Sequence, residues 1–247
     1  HKTASPMLRS LVGSEMCIRD SYTCYALLLK EMRRLGYSDK LASDILTAAA
    51  IGGIIGSKIY YLLENYDRVV VDPIGMIFSG AGLVFLGGLM GGTLGVTIVL
   101  KRNDLPWLTF ADIVAPLLIL GYAIGRVGCF LVGDDYGLPT KSLIGMTFEN
   151  GAPPTTYGSF AYNYPWVDLT DWNSGDVIPV YPTQIMETII GLGIFYFLWK
   201  KRKTIQVKGS LFFTYLIFAG IERFSMEFIR INPKYLWIVQ PYFGLSG

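Results

Sequence analysis

Five apolar stretches, near Ile45 to Leu63, Met76 to Leu100, Phe110 to Val132, Pro182 to Trp199 and Ser210 to Ile229, each approach the roughly 20 residues that a helix needs to cross a bilayer. Composition points the same way. Apolar residues make up 52% of the chain and charged residues 16%, against about 25% charged in soluble domains, so the solvent for most of this surface is expected to be lipid. The fold class expected is all-α and polytopic: five complete membrane helices, with residues 22–29 as the tail of a partial first one. The net charge of +2 gives no case for nucleic acid, because the basic residues fall in short clusters between apolar runs. Cys17, Cys24 and Cys129 show neither CxxC spacing nor a paired framework, so no metal site, disulfide scaffold or cofactor is expected.

Those basic clusters orient the helices. Lys30, Arg33, Arg34 and Lys40 precede the second helix, Lys101 and Arg102 follow the third, and Lys200, Lys201, Arg202, Lys203 and Lys208 follow the fifth. By alternation they share one side, expected to be the cytoplasm. The opposite loops include a long one, residues 134–181, rich in proline and in Tyr157, Tyr162, Tyr164, Trp166 and Trp172. This irregular extramembrane loop is expected to lay its aromatics at the membrane interface or against a substrate. Residues 1–21 are polar and without periodicity. Ser10 to Ser21 reads as a translated adapter, so this segment is expected to be non-native, and residues 22–247 to form a single membrane domain.

Arg126 is the outlying charge. It sits among Gly121, Gly125, Gly128 and Gly133 toward the outer end of the fourth apolar stretch counted from residue 22, where an ionisable residue is by default a functional candidate with an anionic partner. Asp134 is the nearest following carboxylate and lies two turns away, so the guanidinium is expected to be left for an outside anion, in a membrane a lipid phosphate. Farther on, Arg223 and Glu227 stand at i, i+4 spacing on one helix face, suited to an internal ion pair.

The stretch Gly125-Arg-Val-Gly-Cys-Phe-Leu-Val-Gly-Asp-Asp-Tyr-Gly137, with Pro139 and Thr140 after it, resembles the signature of bacterial prolipoprotein diacylglyceryl transferases. Four more stretches resemble that family in the same order: Gly52-Gly-Ile-Ile-Gly-Ser-Lys-Ile-Tyr-Tyr61, Gly82-Leu-Val-Phe-Leu-Gly-Gly-Leu-Met-Gly91, Tyr181-Pro-Thr-Gln-Ile-Met-Glu187 and Glu222-Arg-Phe-Ser-Met-Glu-Phe-Ile-Arg230. The resemblance implies a seven-helix fold, of which this chain would lack half the first helix and all of the last. It also implies transfer of diacylglycerol from phosphatidylglycerol to the lipobox cysteine of a preprolipoprotein signal peptide. The implied setting is a multi-pass monomer in the bacterial inner membrane, with its site toward the periplasm.

Residue by residue, the resemblance implies that Arg126 binds the headgroup, with Gly125 and Gly128 allowing close approach and Tyr136, Gln184, Glu187 and Lys58 lining the substrate. Arginine suits the task because its planar fork stays charged and grips phosphate oxygens in pairs. Arg223, oriented by Glu227, would stabilise charge on the departing phosphate.

Three positions depart from the family pattern. Leu86 stands for the histidine before Gly87-Gly88, Tyr181 for the histidine before Pro-x-Gln, and Cys129 for the signature asparagine; His1, in the foreign segment, is the only histidine left. The general base for thiol attack is therefore expected among Asp134, Asp135 and Tyr181. Cys129 itself is expected to pack as a small apolar residue. Without histidine the chain could also be a weakened homologue that binds phospholipid or lipoprotein, or a transporter, although its halves show no repeat.

Overall fold

The computed structural model describes residues 21–78, 84–205 and 207–231, so the expected non-native segment, apart from Ser21, lies outside the described residues. Helix α1 covers residues 21–34. It is followed by α2 (Asp39–Glu64), α3 (Tyr66–Val71), α4 (Pro73–Phe78), α5 (Phe85–Arg102), α6 (Trp107–Val132), α7 (Tyr157–Asn163), α8 (Thr183–Lys201) and α9 (Ser210–Glu227). No strand occurs among the described residues, only isolated bridge pairings. Two helices, α2 and α6, are long and apolar enough to cross a membrane.

Surface chemistry identifies the solvent. On α2, Ile51, Ile54, Ile55, Ile59 and Leu63 are all more than half exposed, and on α9 so are Phe213, Ile217, Ile221 and Phe224. Contiguous apolar faces of this size are not stable against water, whereas lipid tails accept them.

The chain forms two compact units, and in the first, Leu27–Ile113, α2 packs on α5 through glycine. A Cβ placed on Gly52 would lie 2.4 Å from the Gly91 carbonyl oxygen, and one on Gly56 would lie 2.3 Å from that of Gly87. Bare backbones therefore face each other, the small-residue packing that membrane helices use where apolar burial gives no drive. The helix expected to start at Ile45 begins earlier, at Asp39, because the Ser38 hydroxyl caps it by accepting from Leu41 N at 3.2 Å. The single span expected over Met76 to Leu100 is corrected: α4 opens at Pro73, a residue suited to a first helical turn, and α5 begins only at Phe85.

The second unit comprises, among the described residues, 21–26, 114–205 and 207–231. Here α6, α8 and α9 meet around Ile119, Leu198 and Leu211, and Gly191 of α8 lets Ala123 of α6 approach closely. Apart from α7 and isolated bridges the loop at 134–181 carries no regular structure, yet it folds around a core of its own. Tyr136, Phe160, Ile178, Val180 and Ile231 form its core, with Tyr157, Tyr164 and Trp172 packed around it, while Tyr162 stays 86% exposed. Tyr136 stacks between Phe148 and Phe160 at centroid distances of 5.8 and 5.9 Å. The aromatics stabilise one another, and bridges from Thr156 to Val177 and from Met146 to Val180 tie the loop to itself.

Candidate active site

Helix α6 stops at Gly133, whose φ of 72° is left-handed and open to glycine at little cost; the amides of Gly133 and Asp134 both donate to the Cys129 carbonyl. Two residues on, Asp135 is also left-handed, with φ 55°, a conformation that aspartate tolerates better than most residues. The chain thus turns sharply at the end of α6 and aims the Asp135 carboxylate back at the helix it has just left.

The first turn of α8 fixes that turn in place. Thr183 Oγ1 donates to the Asp135 carbonyl at 2.9 Å, and the Gln184 side-chain amide donates to the Asp134 carbonyl. Both side chains are fully buried. Beyond them Gly137 threads a gap where a Cβ would lie 2.8 Å from Ile229 O, Thr183 Cγ2 and Tyr181 Cβ alike. The Gly137–Arg230 bridge in that gap carries the segment following α9 to the site.

Four charges converge there. Arg126 Nη1 donates to Asp135 Oδ2 at 2.6 Å, and its Nε lies 2.7 Å from Glu187 Oε2. Arg230 Nη2 lies 2.8 Å from Asp135 Oδ1, and its Nη1 lies 3.7 Å from Glu187 Oε1. Each carboxylate therefore bridges both guanidiniums. They differ in depth: Glu187 is 0% exposed and Asp135 42%. The Arg126 guanidinium also sits 5.1 Å from the Tyr122 ring centroid, and Tyr122 donates to Glu222 Oε1 at 3.0 Å.

The expectation that Arg126 lacks a neutralising carboxylate is corrected. Sequence distance hid Glu187 and the backward turn that brings in Asp135. Arg223 and Glu227 do pair, at 2.8 Å, with Arg223 half exposed. The residue that shares carboxylates with Arg126 is Arg230, which with Thr183 stands outside the residues expected from the sequence. A signal existed, since residues 223, 227 and 230 recur at helical spacing in an apolar run.

Other expected residues are placed as follows. Tyr136 is 1% exposed, its hydroxyl donating to the Pro153 carbonyl, so it holds the loop core. A Cβ on Gly125 would meet open space. Tyr181 pairs its backbone with Gly137 and Leu138. Cys129 is a free thiol with its Sγ 3.9 Å from Arg126 Nη1. Lys58 belongs to the α2–α5 unit, its Nζ 5.5 Å from the Tyr61 ring centroid.

The adjacent aspartates titrate in opposite directions. Burial pushes Asp134 above the usual carboxylate range, with the negative charge of Asp135 adding to it. Burial acts on Asp135 too, but the hydrogen bond from Arg126 and the charge of Arg230 outweigh it and hold Asp135 below that range. Asp134 Oδ1, Gln184 Oε1, both Glu187 oxygens and Arg230 Nε are buried without an aligned hydrogen-bond partner. Ion pairs compensate Glu187, which leaves Asp134 Oδ1, Gln184 Oε1 and Arg230 Nε as buried polar atoms without a hydrogen-bond partner, a concentration that marks a candidate functional site.

Paired arginines and paired carboxylates where α6, α8 and the segment after α9 meet, in a chain whose helices carry broad exposed apolar faces, define a helical membrane protein equipped to handle an anionic group. Residues 16–244 match the family model described as prolipoprotein diacylglyceryl transferase. The chain is similar to phosphatidylglycerol–prolipoprotein diacylglyceryl transferases from Clostridium tetani, 31% identical over 84% of this chain and 76% of that one, and Leptospira interrogans, 30% identical over 89% and 71%. A Clostridium perfringens protein called transferase 2 is 34% identical over 84% of this chain and 74% of its own. The chain belongs to the prolipoprotein diacylglyceryl transferase family.

Proposed function

We propose that this protein transfers the diacylglyceryl group of phosphatidylglycerol to the lipobox cysteine thiol of a preprolipoprotein, the first step of lipoprotein lipidation. The observation that carries the reading is the Arg126–Arg230 cluster within a chain matched to the family over nearly all its length. In the step, the thiol sulfur bonds to the glyceryl carbon that carries the phosphate. The carbon–oxygen bond to that phosphate breaks, glycerol phosphate leaves with the electron pair, and the thiol proton passes to a base.

Arg126 grips the headgroup phosphate, and Arg223, steadied by Glu227, meets charge growing on the leaving group. Glu187, Gln184 and the glycines Gly125 and Gly128 shape the lipid's approach. Asp134 is the base. Asp135 has both oxygens held by arginines and is kept ionised, so it is a poor proton acceptor, whereas Asp134 has a buried oxygen without a partner. Tyr181 stands behind it as the alternative base. The protein works as a monomer in the bacterial inner membrane with this site on the periplasmic side, the orientation that the basic loops support.

Purified protein incubated with phosphatidylglycerol and a lipobox peptide is expected to yield a thioether-linked diacylglyceryl peptide by mass spectrometry. Turnover should rise as pH passes upward through the raised Asp134 value, because only the carboxylate accepts the thiol proton. Asp134→Asn should remove that limb and lower kcat by about 10²-fold or more. Product formation unaltered by this change would reassign the base. Lipid binding without any product would favour a binding homologue, the reading that the missing histidines support.

A further inference from the structure

The two carboxylates of the cluster do different jobs because they lie at different depths. Glu187 is enclosed and holds Arg126 and Arg230 from within, through Arg126 Nε and Arg230 Nη1. Asp135 is 42% exposed and takes the outer nitrogens, Arg126 Nη1 through Oδ2 and Arg230 Nη2 through Oδ1. Two guanidiniums each holding one oxygen of a single anion is the arrangement by which arginines bind a phosphate through two of its oxygens.

Charge supports the comparison. Arg126, Arg230 and Glu187 together carry one net positive charge, and Asp135 cancels it. A phosphodiester, with one negative charge and two free oxygens, would cancel it equally well. The Asp135 backbone is tied through its carbonyl to Thr183 and its neighbour's carbonyl to Gln184, so the carboxylate can turn away by side-chain rotation while the turn holds.

We propose that Asp135 is an internal competitor for the anion seat between Arg126 and Arg230: it fills the position of the ligand phosphate when none is bound and must swing out for phosphate to enter. The seat takes a phosphate mono- or diester, borne by a lipid headgroup or free. The identification of that phosphate with phosphatidylglycerol rests on the proposed function; the competition itself does not. One consequence is that the empty site is never left as two uncompensated guanidiniums at membrane depth. Another is that affinity for the headgroup and for the departing glycerol phosphate is held down together, which favours release of product.

The test compares full-length wild type with Asp135→Asn, since asparagine also accepts the left-handed backbone. Binding is followed by thermal stabilisation in detergent with three probes: phosphatidylglycerol in mixed micelles, glycerol phosphate and inorganic phosphate. With its competitor neutralised, the variant should saturate at concentrations lower by about tenfold. A lower midpoint confined to phosphatidylglycerol assigns the seat to the lipid, and one shared by all three probes assigns it to phosphate in general. Unchanged or weaker binding overturns the proposal.

A second readout needs no variant. Carbodiimide-driven amine coupling to Asp135 in the wild type, followed by peptide mass spectrometry, should increase when phosphatidylglycerol is added, because the displaced carboxylate is released from its arginines. No increase overturns the proposal even if Asp135→Asn fails to fold. Absence of lipid transfer by a wild type that shows the predicted competition would instead count against the proposed function alone.

Discussion

Replacing Arg126 with alanine is expected to abolish transfer and to weaken the fold together. The guanidinium is 12% exposed and ties α6 to the turn through Asp135, to α8 through Glu187 and to its own helix through Tyr122. Without it Glu187, enclosed at 0% exposure, keeps among the described residues the Arg230 ion pair at 3.7 Å. Removing one partner of a buried ion pair costs about 3–5 kcal/mol, because the charge left behind can neither reach water nor find a substitute. Arg126→Lys separates the two effects. Its ammonium keeps the charge, so much of the fold should survive, but a single point donor cannot reach both carboxylates as the planar fork does. Turnover by the lysine variant is expected to fall by roughly 10²–10³-fold, the loss typical when one preorganised donor is removed. The checks are thermal unfolding by circular dichroism and the lipobox-peptide assay on the same preparations.

A comparable loss of stability is expected within the α2–α5 unit, at Gly91. A Cβ there would lie 2.2 Å from the Gly52 carbonyl oxygen and 2.8 Å from Gly56 Cα. Both obstacles are backbone, so no rotamer change relieves the clash and α2 must move off α5. Gly91→Leu is expected to destabilise the protein by about 3 kcal/mol or more, at the upper end of overpacking costs. Gly53→Ala is the matched control: its Cβ would meet only the Gly88 carbonyl at 3.7 Å, an ordinary contact, and should be tolerated. Unfolding in graded SDS distinguishes the two. Equal sensitivity would mean that the glycine face is incidental to how these helices pair.

The apolar runs marked α2, α6, α8 and α9 within a few residues, because a span needs a minimum length and lipid tolerates few charges along it. The start of α5 was misplaced because hydropathy does not register where a helix begins inside a continuous apolar run. Arg126 was legible as a charge in the wrong solvent. Its partners were not: Glu187 lies 61 positions away, and Asp135 reaches it because two left-handed residues on either side of Asp134, Gly133 and Asp135, reverse the chain. The loop core was hidden for a related reason. Tyr136, Phe148, Phe160 and Tyr164 meet through single bridges between distant segments, which impose no period on the sequence.

The proposed transfer requires that a phospholipid headgroup be held where Arg126 and Arg230 converge. Equilibrium binding of radiolabelled phosphatidylglycerol to detergent-solubilised wild type and to Arg230→Gln, with helix content monitored by circular dichroism, tests it most directly. Saturable binding by the wild type, weakened at least tenfold in a variant that keeps its helices, is the predicted result. Equal affinity in the two proteins would contradict it.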